Sequence, residues 1–488
     1  MAQPGGSCGR RRRRTEYAHR ARTRRGARSE ETDMARGAAT RASVPATEQM
    51  TRYRWVVMGL IFVVYTLAAA DRANIGIVLP FVKKEFAMTN TEAGAVVSLF
   101  FVGYSVMQIP AGLLVKRLGT RIIFPIFMIL TSLFTGLLGT TSSALSMKLN
   151  RLALGFAEAP LPVTMLSTMN RWFPDQEKGT AVGLFLAAAK FGPVIVPPLG
   201  ALIIATLGWQ YVFFICALPG LIFAVLWYVL VVDEPARSRF VSPAEAAHIA
   251  SGRVATPAGP APAARPTLSV APRFDRLDRV IRGRSVRSIA TARETFASGN
   301  IWGLAIGYLM MTGIINVILA WLPTYLTNVK HFSLMNVGFV ASAPFVGGVL
   351  GNIMGGLFSD RLVGKRRKPT ILISTVSTVF MMYALVHAPN EPVTLAILLF
   401  LTGFLLNVGY SSFTVYPAGL TTKDAYPLAV SVVNTGGQAG GALFPFLTGL
   451  LLDAYSWDAV FLFLGASSLL ALGVMLLVVE PIERDDPL

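Results

Sequence analysis

The sequence predicts an all-helical integral membrane protein in which twelve transmembrane helices form two pseudo-symmetric six-helix bundles. Three observations predict this fold: a low content of charge, twelve long apolar runs, and a repeat that relates the two halves. Of the 488 residues, 53% are hydrophobic and 14% are charged, whereas a soluble domain carries about 25% charged residues. The composition therefore excludes an ordinary soluble protein.

Each apolar run is about 20 residues long or longer, which is enough to cross a hydrocarbon core of ~30 Å. Because lipid offers no hydrogen bonds to the backbone, each run predicts a helix. The runs cover approximately residues 54–82, 93–115, 121–141, 144–169, 178–206, 210–232, 300–327, 336–359, 369–387, 392–417, 426–451 and 457–479.

A polar segment rich in Pro, Ala and Arg separates the first six runs from the last six, which predicts five regions. Residues 1–53 form a basic, disordered extension, and translation starting at Met50 is an alternative that stays open. Residues 54–232 and 300–480 form the two bundles. A disordered cytoplasmic linker at 233–299 joins them, and residues 481–488 form a tail.

The two halves repeat each other. GLLVKRL at 112–118 matches GLFSDRL at 356–362, 244 residues later, and GWQYVFF at 208–214 matches SWDAVFL at 456–462, 248 residues later. Two offsets that agree within four residues make chance an unsatisfactory explanation. In paired six-helix halves, substrate binds near the membrane midplane between the halves.

The positive charge predicts the orientation in the membrane. The net charge is +18, of which residues 1–49 contribute +7 and residues 233–299 contribute +5. Short loops on one side hold Lys116, Arg117, Arg121, Arg171, Lys178, Arg361, Lys365, Arg366, Arg367, Lys368 and Lys423. The other side holds chiefly Lys83, Lys84, Lys148 and Lys330. By the positive-inside rule, both termini are cytoplasmic.

Four charged residues lie inside apolar runs, where a charge costs roughly 2.5–3.5 kcal/mol. LAAADRANIG contains Asp71 and Arg72, and NRLALGFAEAP contains Arg151 and Glu158. The last two are seven residues apart, so they project from one helix face about 10 Å apart. Guanidinium groups match the planar carboxylate. The pattern indicates a functional site for an anion, and an ion-pair network that only holds helices together is the alternative.

The motifs DRANIG, GYSVMQIPAG, RLALGFAEAP, AWLPTYL and VNTGGQAGGALFP resemble the major facilitator superfamily. Within it, residues 52 to about 482 resemble the anion:cation symporter family of galactonate, glucarate, tartrate and phthalate carriers. The resemblance implies a proton-coupled symporter that imports an organic carboxylate by alternating access across the inner membrane. It implies a monomer in lipid, with an organic anion and protons as partners and with neither cofactor nor nucleic acid.

The resemblance also assigns roles to residues. It assigns proton coupling to Asp71 and Glu158, and substrate binding to Arg72, Arg151, Tyr104 and Asn434. Membrane tyrosines and asparagines also pack or bond between helices, so a packing role stays open for Tyr104 and Asn434. Whether Arg72 binds substrate or only neutralises Asp71 is open as well.

Lys190, in FLAAAKFGPVIVPP, departs from the family, whose members have small or amide residues in this stretch. Pairing with Glu158 or Asp71 and contact with a second anionic group are both open for it. We expect Lys190 to line the cavity as a substrate-binding residue and to favour a substrate with more than one polar or anionic group. Ala68, Ala69 and Ala70 replace polar or aromatic residues of relatives, which makes a sugar acid less secure as the substrate.

The loop GLLVKRLG resembles one half of a cytoplasmic latch that closes the outward-open state. The resemblance assigns that latch to Gly112, Arg117, Gly119, Asp360 and Arg361. Lys116 stands where the family has an acid, which puts the first half of the latch in question but not the fold.

Three other functions compete with symport. Exchange of one organic anion for another keeps the same fold, and a sensor that binds an anion without moving it is a second alternative. An enzyme is not expected, because the sequence contains no HExxH, no GxSxG and no plausible metal cluster. Cys8 and Cys216 lie in a polar tail and an apolar run, so neither a disulfide nor a zinc site is expected.

Overall fold

A computed structural model describes residues 50–251, 278–279, 281–284, 286–364, 366–422 and 424–481. The predictions for the basic extension before Met50, for the middle of the linker, for Lys365 and Lys423 and for residues 482–488 lie outside the described residues.

Twelve long helices follow one another in the described part of the chain. Those of the N-terminal half are α1 Tyr53–Glu85, α2 Asn90–Leu118, α3 Thr120–Leu138, α4 Ala144–Trp172, α5 Asp175–Thr206 and α6 Gln210–Leu230. Those of the C-terminal half are α7 Gly299–Asn328, α8 Leu334–Leu362, α9 Lys368–Val386, α10 Pro392–Leu420, α11 Tyr426–Ala454 and α12 Trp457–Leu477. All except α11 are apolar enough to span a membrane by composition alone. The 29 residues of α11 include Asn434, Thr435 and Gln438, which lower its hydropathy.

Two helices at equivalent positions in the halves, α4 and α10, are interrupted. In α4 the break follows Glu158, where Pro160 opens the next segment; a proline ring clashes with the preceding helical turn and offers no N–H. In α10 the first segment ends at Val408 and the next begins at Tyr410, with Gly409 between them. Glu158 and Val408 are 250 residues apart, close to the repeat offset. Interrupted membrane helices are typical of substrate sites.

The most extensive contacts between the halves are those of α2 with α11, α5 with α8, and α1 with α7. We call the side where α6 ends and α7 begins the linker face, and the opposite side the distal face. Near the distal face the Asp453 carboxylate at the end of α11 accepts hydrogen bonds from Asn90 N at 2.9 Å and Thr91 N at 2.7 Å. A Cβ on Gly94 of α2 would collide with the backbone of Pro445.

The same helices separate toward the linker face. Nothing packs within 4 Å of where a Cβ would lie on Gly112 of α2, Gly183 of α5 or Gly356 of α8. The polar residues Ser431 and Thr435 of α11 are exposed there. The halves therefore enclose a cleft that is closed at the distal face and open at the linker face.

The beginning of the linker packs against the N-terminal half. In the helix Pro243–Ser251, the fully buried Glu245 accepts hydrogen bonds from the Thr51 hydroxyl at 2.7 Å and from Arg54 Nη1 at 2.9 Å. Burial alone would raise the pKa of Glu245, but these hydrogen bonds outweigh burial and hold that pKa below its usual value. The expectation of disorder is therefore wrong for this part of the linker.

The end of the linker packs against the C-terminal half in a similar way. Asp278 accepts two hydrogen bonds from the buried guanidinium of Arg366, at 2.5 and 2.8 Å. Strand β1, Gly283–Arg284, then pairs in parallel with strand β2, Glu480–Pro481, which follows α12. Each end of the linker is thus fixed to the half that it adjoins.

Candidate functional site

The central ion pair of the cleft joins α1 to α4. Arg72 Nε donates a hydrogen bond to Glu158 Oε1 at 2.6 Å, and Glu158 is the last residue before the break in α4. The Glu158 side chain is fully buried, whereas that of Arg72 is 23% exposed. Among the described residues, Arg72 Nη2 and Glu158 Oε2 have no hydrogen-bond partner. Both of these atoms are buried, so the pair keeps unused hydrogen-bonding capacity inside the protein.

Tyr104 of α2 lies beside this pair. Its ring centroid is 5.2 Å from Arg72 Cζ, a cation–π distance. Tyr65 of α1 is also within range of an electrostatic interaction and a hydrogen bond with Arg72. The guanidinium of Arg72 is thus held between a carboxylate and two tyrosines.

Asp71 and Arg151 are buried inside the N-terminal half, and each lies within electrostatic range of Glu158. Asp71 is 3% exposed and accepts a hydrogen bond from Asn74 Nδ2 at 3.4 Å. Arg151 is 1% exposed, donates to the carbonyl of Val96 at 3.3 Å, and lies 4.8 Å from the ring centroid of Phe100. Asp71 and Arg151 interact electrostatically without a direct ion pair. The four charges therefore form one cluster, in which Arg72 and Glu158 are in direct contact and Asp71 and Arg151 are each within electrostatic range of Glu158.

Arg72 forms its ion pair with Glu158 and not with its neighbour Asp71, so a role only in neutralising Asp71 is wrong. Successive residues on a helix point about 100° apart and do not face each other. Arg72 can therefore reach α4, while Asp71 faces the interior of its own half.

Lys190 of α5 reaches across the cleft to α10. Its Nζ donates a hydrogen bond to Asn407 Oδ1 at 3.2 Å and lies 4.6 Å from the ring centroid of Tyr410. Asn407 and Tyr410 flank the break in α10 at Gly409. Within the described ranges, no carboxylate lies within 4.0 Å of this ammonium group. Pairing with Glu158 or Asp71, which the sequence left open, is therefore absent.

A set of tyrosines joins the two sides of the cleft. The Tyr308 hydroxyl of α7 donates to that of Tyr410 at 3.0 Å. Tyr65 is within electrostatic range of both Tyr308 and Tyr410 as well as of Arg72. Sequence reasoning missed Tyr65, Tyr308 and Asn407. The sequence signal for Asn407 was its position two residues before Gly409 in NVGY. Glycine in corresponding apolar runs of two repeated halves is a sign of an interrupted helix near a binding site.

Asn434 is half-buried on α11. It shares one helix face with Gln438 and Gly441, which follow at four and seven residues. A Cβ on Gly441 would meet the ring of Phe101 on α2, in the other half. That face of α11 is therefore directed toward the N-terminal half, and it adds Gln438 to the polar residues of the cleft.

The loops expected to form the latch lie on the linker face, where the halves are apart. Gly119 adopts a φ of +79° at the turn into α3, a conformation that favours glycine. Beside it, Asp233 accepts hydrogen bonds from Thr120 N at 2.6 Å and from Arg171 Nη1 at 3.0 Å. Asp233 thus supplies an acid next to the loop that has Lys116 in place of one.

In the second copy, Asp360 pairs with Arg367 at 2.8 Å, within the C-terminal half. Glu480 accepts hydrogen bonds from Arg367 N and Lys368 N at the start of α9, as Asp233 does at the start of α3. Arg117 and Arg361 are exposed, and neither has an ion pair among the described residues.

The charges of the site leave one positive charge in excess. Arg72, Arg151 and Lys190 supply three cations, and Asp71 and Glu158 supply two acids. Within the described ranges, no group of three or more His, Cys, Asp and Glu residues is placed to hold a metal ion. The excess positive charge suits a small organic anion in a cleft that is open at the linker face.

Comparison with known proteins gives a family and a fold. The sequence profile of the Major Facilitator Superfamily matches residues 61–389 and 328–488. Among solved structures, a bacterial homologue of the human lysosomal transporter Spinster, inward-facing and occupied, has a TM-score of 0.66 at 15% identity, covering 88% of this chain and 94% of that one. A D-xylose–proton symporter has a TM-score of 0.66 at 16% identity, covering 88% and 98%.

Curated relatives match over nearly the whole length. The probable galactarate/D-glucarate transporter of Bacillus subtilis is 27% identical over 454 residues, which are 91% of this chain and 95% of the relative. The D-galactonate transporter of Escherichia coli is 26% identical over 443 residues, 89% and 97%. The probable sulfoacetate transporter of Cupriavidus necator is 27% identical over 434 residues, 88% and 94%.

Proposed function

Because this chain belongs to the Major Facilitator Superfamily, we propose that it is a secondary active transporter that imports an organic carboxylate together with protons. The observation that carries this proposal is the Arg72–Glu158 pair, in which a partly exposed guanidinium lies at the wall of the cleft beside a fully buried carboxylate. Relatives named for galactarate, glucarate, galactonate and sulfoacetate transport support an organic acid as the substrate.

Coupling to protons follows from competition for one guanidinium group. Glu158 and a substrate carboxylate both bind Arg72 best when they are ionised, and both are anions. Protonation of Glu158 weakens its bond to Arg72 and makes the guanidinium available for the substrate. Proton and substrate therefore bind together, as symport requires.

Import of an anion also needs a source of energy. Moving one negative charge inward against a membrane potential of 100 mV costs about 2.3 kcal/mol. Asp71 provides a second carboxyl that can carry a proton, and Arg151 lies within electrostatic range of it. We assign Asp71 and Glu158 to proton coupling, and Arg72, Arg151, Tyr104 and Asn434 to substrate binding or its support.

The remaining assignments follow the same proposal. The linker face is cytoplasmic and the distal face is external, in an inner membrane, with one chain sufficient for transport. Gly112, Arg117, Gly119, Asp360 and Arg361 belong to loops that come together when the cleft opens to the outside. The open linker face then corresponds to the inward-facing state.

Uptake into proteoliposomes tests the proposal. The panel is galactarate, glucarate, galactonate, sulfoacetate and phthalate, each measured with an inward proton gradient and after the gradient is collapsed. We expect wild type to accumulate at least one anion inside the vesicles, above its external concentration, only while the proton gradient is present. Asp71→Asn and Glu158→Gln should no longer accumulate that anion. Glu92→Gln, which removes an exposed carboxylate at the distal face, is the matched control.

Two outcomes would contradict symport. Uptake that ignores the proton gradient but is accelerated by an anion preloaded inside the vesicles would favour exchange. Specific binding without any uptake would favour a sensor.

A further inference from the structure

We propose that Lys190, Asn407 and Tyr410 form a second anion subsite, and that the transported substrate is a dianion with an anionic group at each end. This inference rests on the proposed function, because it concerns the same cleft. It begins from the charge of Lys190, which has an amide and an aromatic ring as neighbours but no carboxylate within ion-pair distance among the described residues.

The ammonium group of Lys190 has capacity for a ligand. It carries three N–H donors, and one of them is used by Asn407 at 3.2 Å. Burying a charge without an opposite charge is costly, so an anion that binds here removes part of that cost. The face of the Tyr410 ring stabilises the cation but cannot accept a conventional hydrogen bond as a carboxylate can.

The position of the subsite also suits a ligand. Lys190 belongs to the N-terminal half, whereas Asn407 and Tyr410 flank the break in α10 of the C-terminal half. Glu158 and Asn407 are 249 residues apart, close to the repeat offset, so a polar side chain precedes the break in each half. In the N-terminal half, Glu158 pairs with Arg72 of the same half. In the C-terminal half, Asn407 accepts a hydrogen bond from Lys190, which belongs to the opposite half.

Tyr65 is within electrostatic range of both subsites, of Arg72 in the first and of Tyr410 in the second. Beside Lys190 and Asn407 the wall is apolar, formed by Ile315, Ile318, Pro344, Phe345, Gly348, Gly403 and Leu406. A substrate with one anionic group near Arg72 and another near Lys190 would therefore place its middle against tyrosines and apolar side chains.

The two ends of such a substrate bind under different conditions. Arg72 is neutralised by Glu158 until that carboxyl is protonated, whereas no carboxylate among the described residues pairs with Lys190. Lys190 can therefore bind one end of the dianion whether or not Glu158 is protonated, and Arg72 binds the other end when a proton arrives. A monoanion can satisfy one of the two cations but not both.

The competing explanation is a purely structural one, in which Lys190 joins the two halves through Asn407. Lys190→Gln separates the explanations, because glutamine keeps an N–H donor near Asn407 but removes the charge. Lys190→Arg keeps the charge. Lys148→Gln, which removes a lysine paired with Glu92 at the distal face, is the control for loss of a positive charge elsewhere.

The test compares monoanions and dianions that share one skeleton, namely galactonate with galactarate and benzoate with phthalate. Uptake into proteoliposomes and the ligand-induced rise in melting temperature in detergent are measured for each variant. For at least one pair we expect wild type, Lys190→Arg and Lys148→Gln to prefer the dianion. Lys190→Gln should lose roughly 10- to 100-fold of its dianion affinity, the effect of one charged hydrogen bond, and little of its monoanion affinity.

An unchanged ratio of dianion to monoanion affinity in Lys190→Gln would overturn the subsite. A wild type that concentrates monoanions but never prefers dianions would overturn the inference and leave proton-coupled transport intact. If wild type transports none of these anions, the proposed function is contradicted for the anions tested. The subsite is then judged from the melting temperatures alone, where absence of dianion-specific stabilisation in wild type counts against it.

Discussion

Asp453 closes the distal side of the cleft, and its removal should shift the protein away from the conformation described here. Its carboxylate, at the end of α11, accepts three hydrogen bonds from the first turn of α2 in the other half. The donors are Asn90 N at 2.9 Å, Thr91 N at 2.7 Å and the Thr91 hydroxyl at 2.6 Å. These bonds exist only while the distal ends of the halves are together.

The magnitude follows from those bonds. Asp453→Asn keeps one acceptor oxygen but loses the second oxygen and the charge that favours a helix N-terminus. An N-cap acid is worth about 0.5–2 kcal/mol, and a hydrogen bond to a charged group about 1.5–3 kcal/mol. Because Asp453 is exposed, solvent screening places the loss near the lower values, at about 1–2 kcal/mol. The population ratio of closed to open distal faces should fall roughly 5- to 30-fold.

Double electron–electron resonance measures this population directly. Spin labels at Ser142→Cys and Asn390→Cys, which are exposed distal positions in opposite halves, are placed in a background with the native cysteines replaced. Asp453→Asn should add a longer-distance population, while Asp458→Asn, an exposed acid on α12 near the same face, should not. An unchanged distance distribution for Asp453→Asn would refute the reasoning, since the distal contacts would then be held by helix packing alone.

Three further perturbations test other parts of the structure. Glu158→Gln leaves Arg72 without an anionic partner, so this variant should bind organic anions about 10-fold more tightly than wild type at pH 8, as measured by isothermal titration calorimetry. Equal affinities of the variant and wild type at that pH would contradict competition for Arg72. The pKa of Glu245 is held below its usual value by hydrogen bonds from Thr51 and Arg54, so docking of its helix is stabilised at all pH values above the ordinary carboxyl range. That stabilisation is lost as pH falls through the lowered pKa. The hydrogen-exchange protection factors of residues 243–251, which correct for the pH dependence of intrinsic exchange, should be unchanged between pH 8 and 5 and fall below about pH 4; a fall near neutral pH would be inconsistent with this account. Gly155→Val should lower thermal stability by about 1–3 kcal/mol, because even a Cβ there would collide with the backbone of α2; a melting temperature equal to that of wild type would mean that α2 and α4 can move apart.

The sequence predicted the helices closely because lipid leaves the chain few alternatives. The first run was expected at 54–82 and α1 spans Tyr53–Glu85; the tenth was expected at 392–417 and α10 spans Pro392–Leu420. Apolar length and the need to satisfy backbone groups determine such segments locally. Pro160 carried a local signal for the break in α4.

Partners of the charged side chains were harder to predict, because they depend on which faces meet in three dimensions. Asp71 and Arg72 are adjacent in the chain and nevertheless point to different surroundings, one inside the N-terminal half and one to Glu158. The partner of Lys190 lies 217 residues away in the other half. No pattern within a single apolar run indicates such a contact.

The matching breaks of α4 and α10 imply a division of labour between the two copies of an ancestral unit. Beside the break, the first copy has the carboxylate of Glu158, whereas the second has the amide of Asn407. An amide can be exchanged for other neutral side chains without altering the charge that responds to protons. If Glu158 carries the proton, as proposed above, selection can adjust the end of the substrate site beside Asn407 without altering the charge that responds to protons in the first copy.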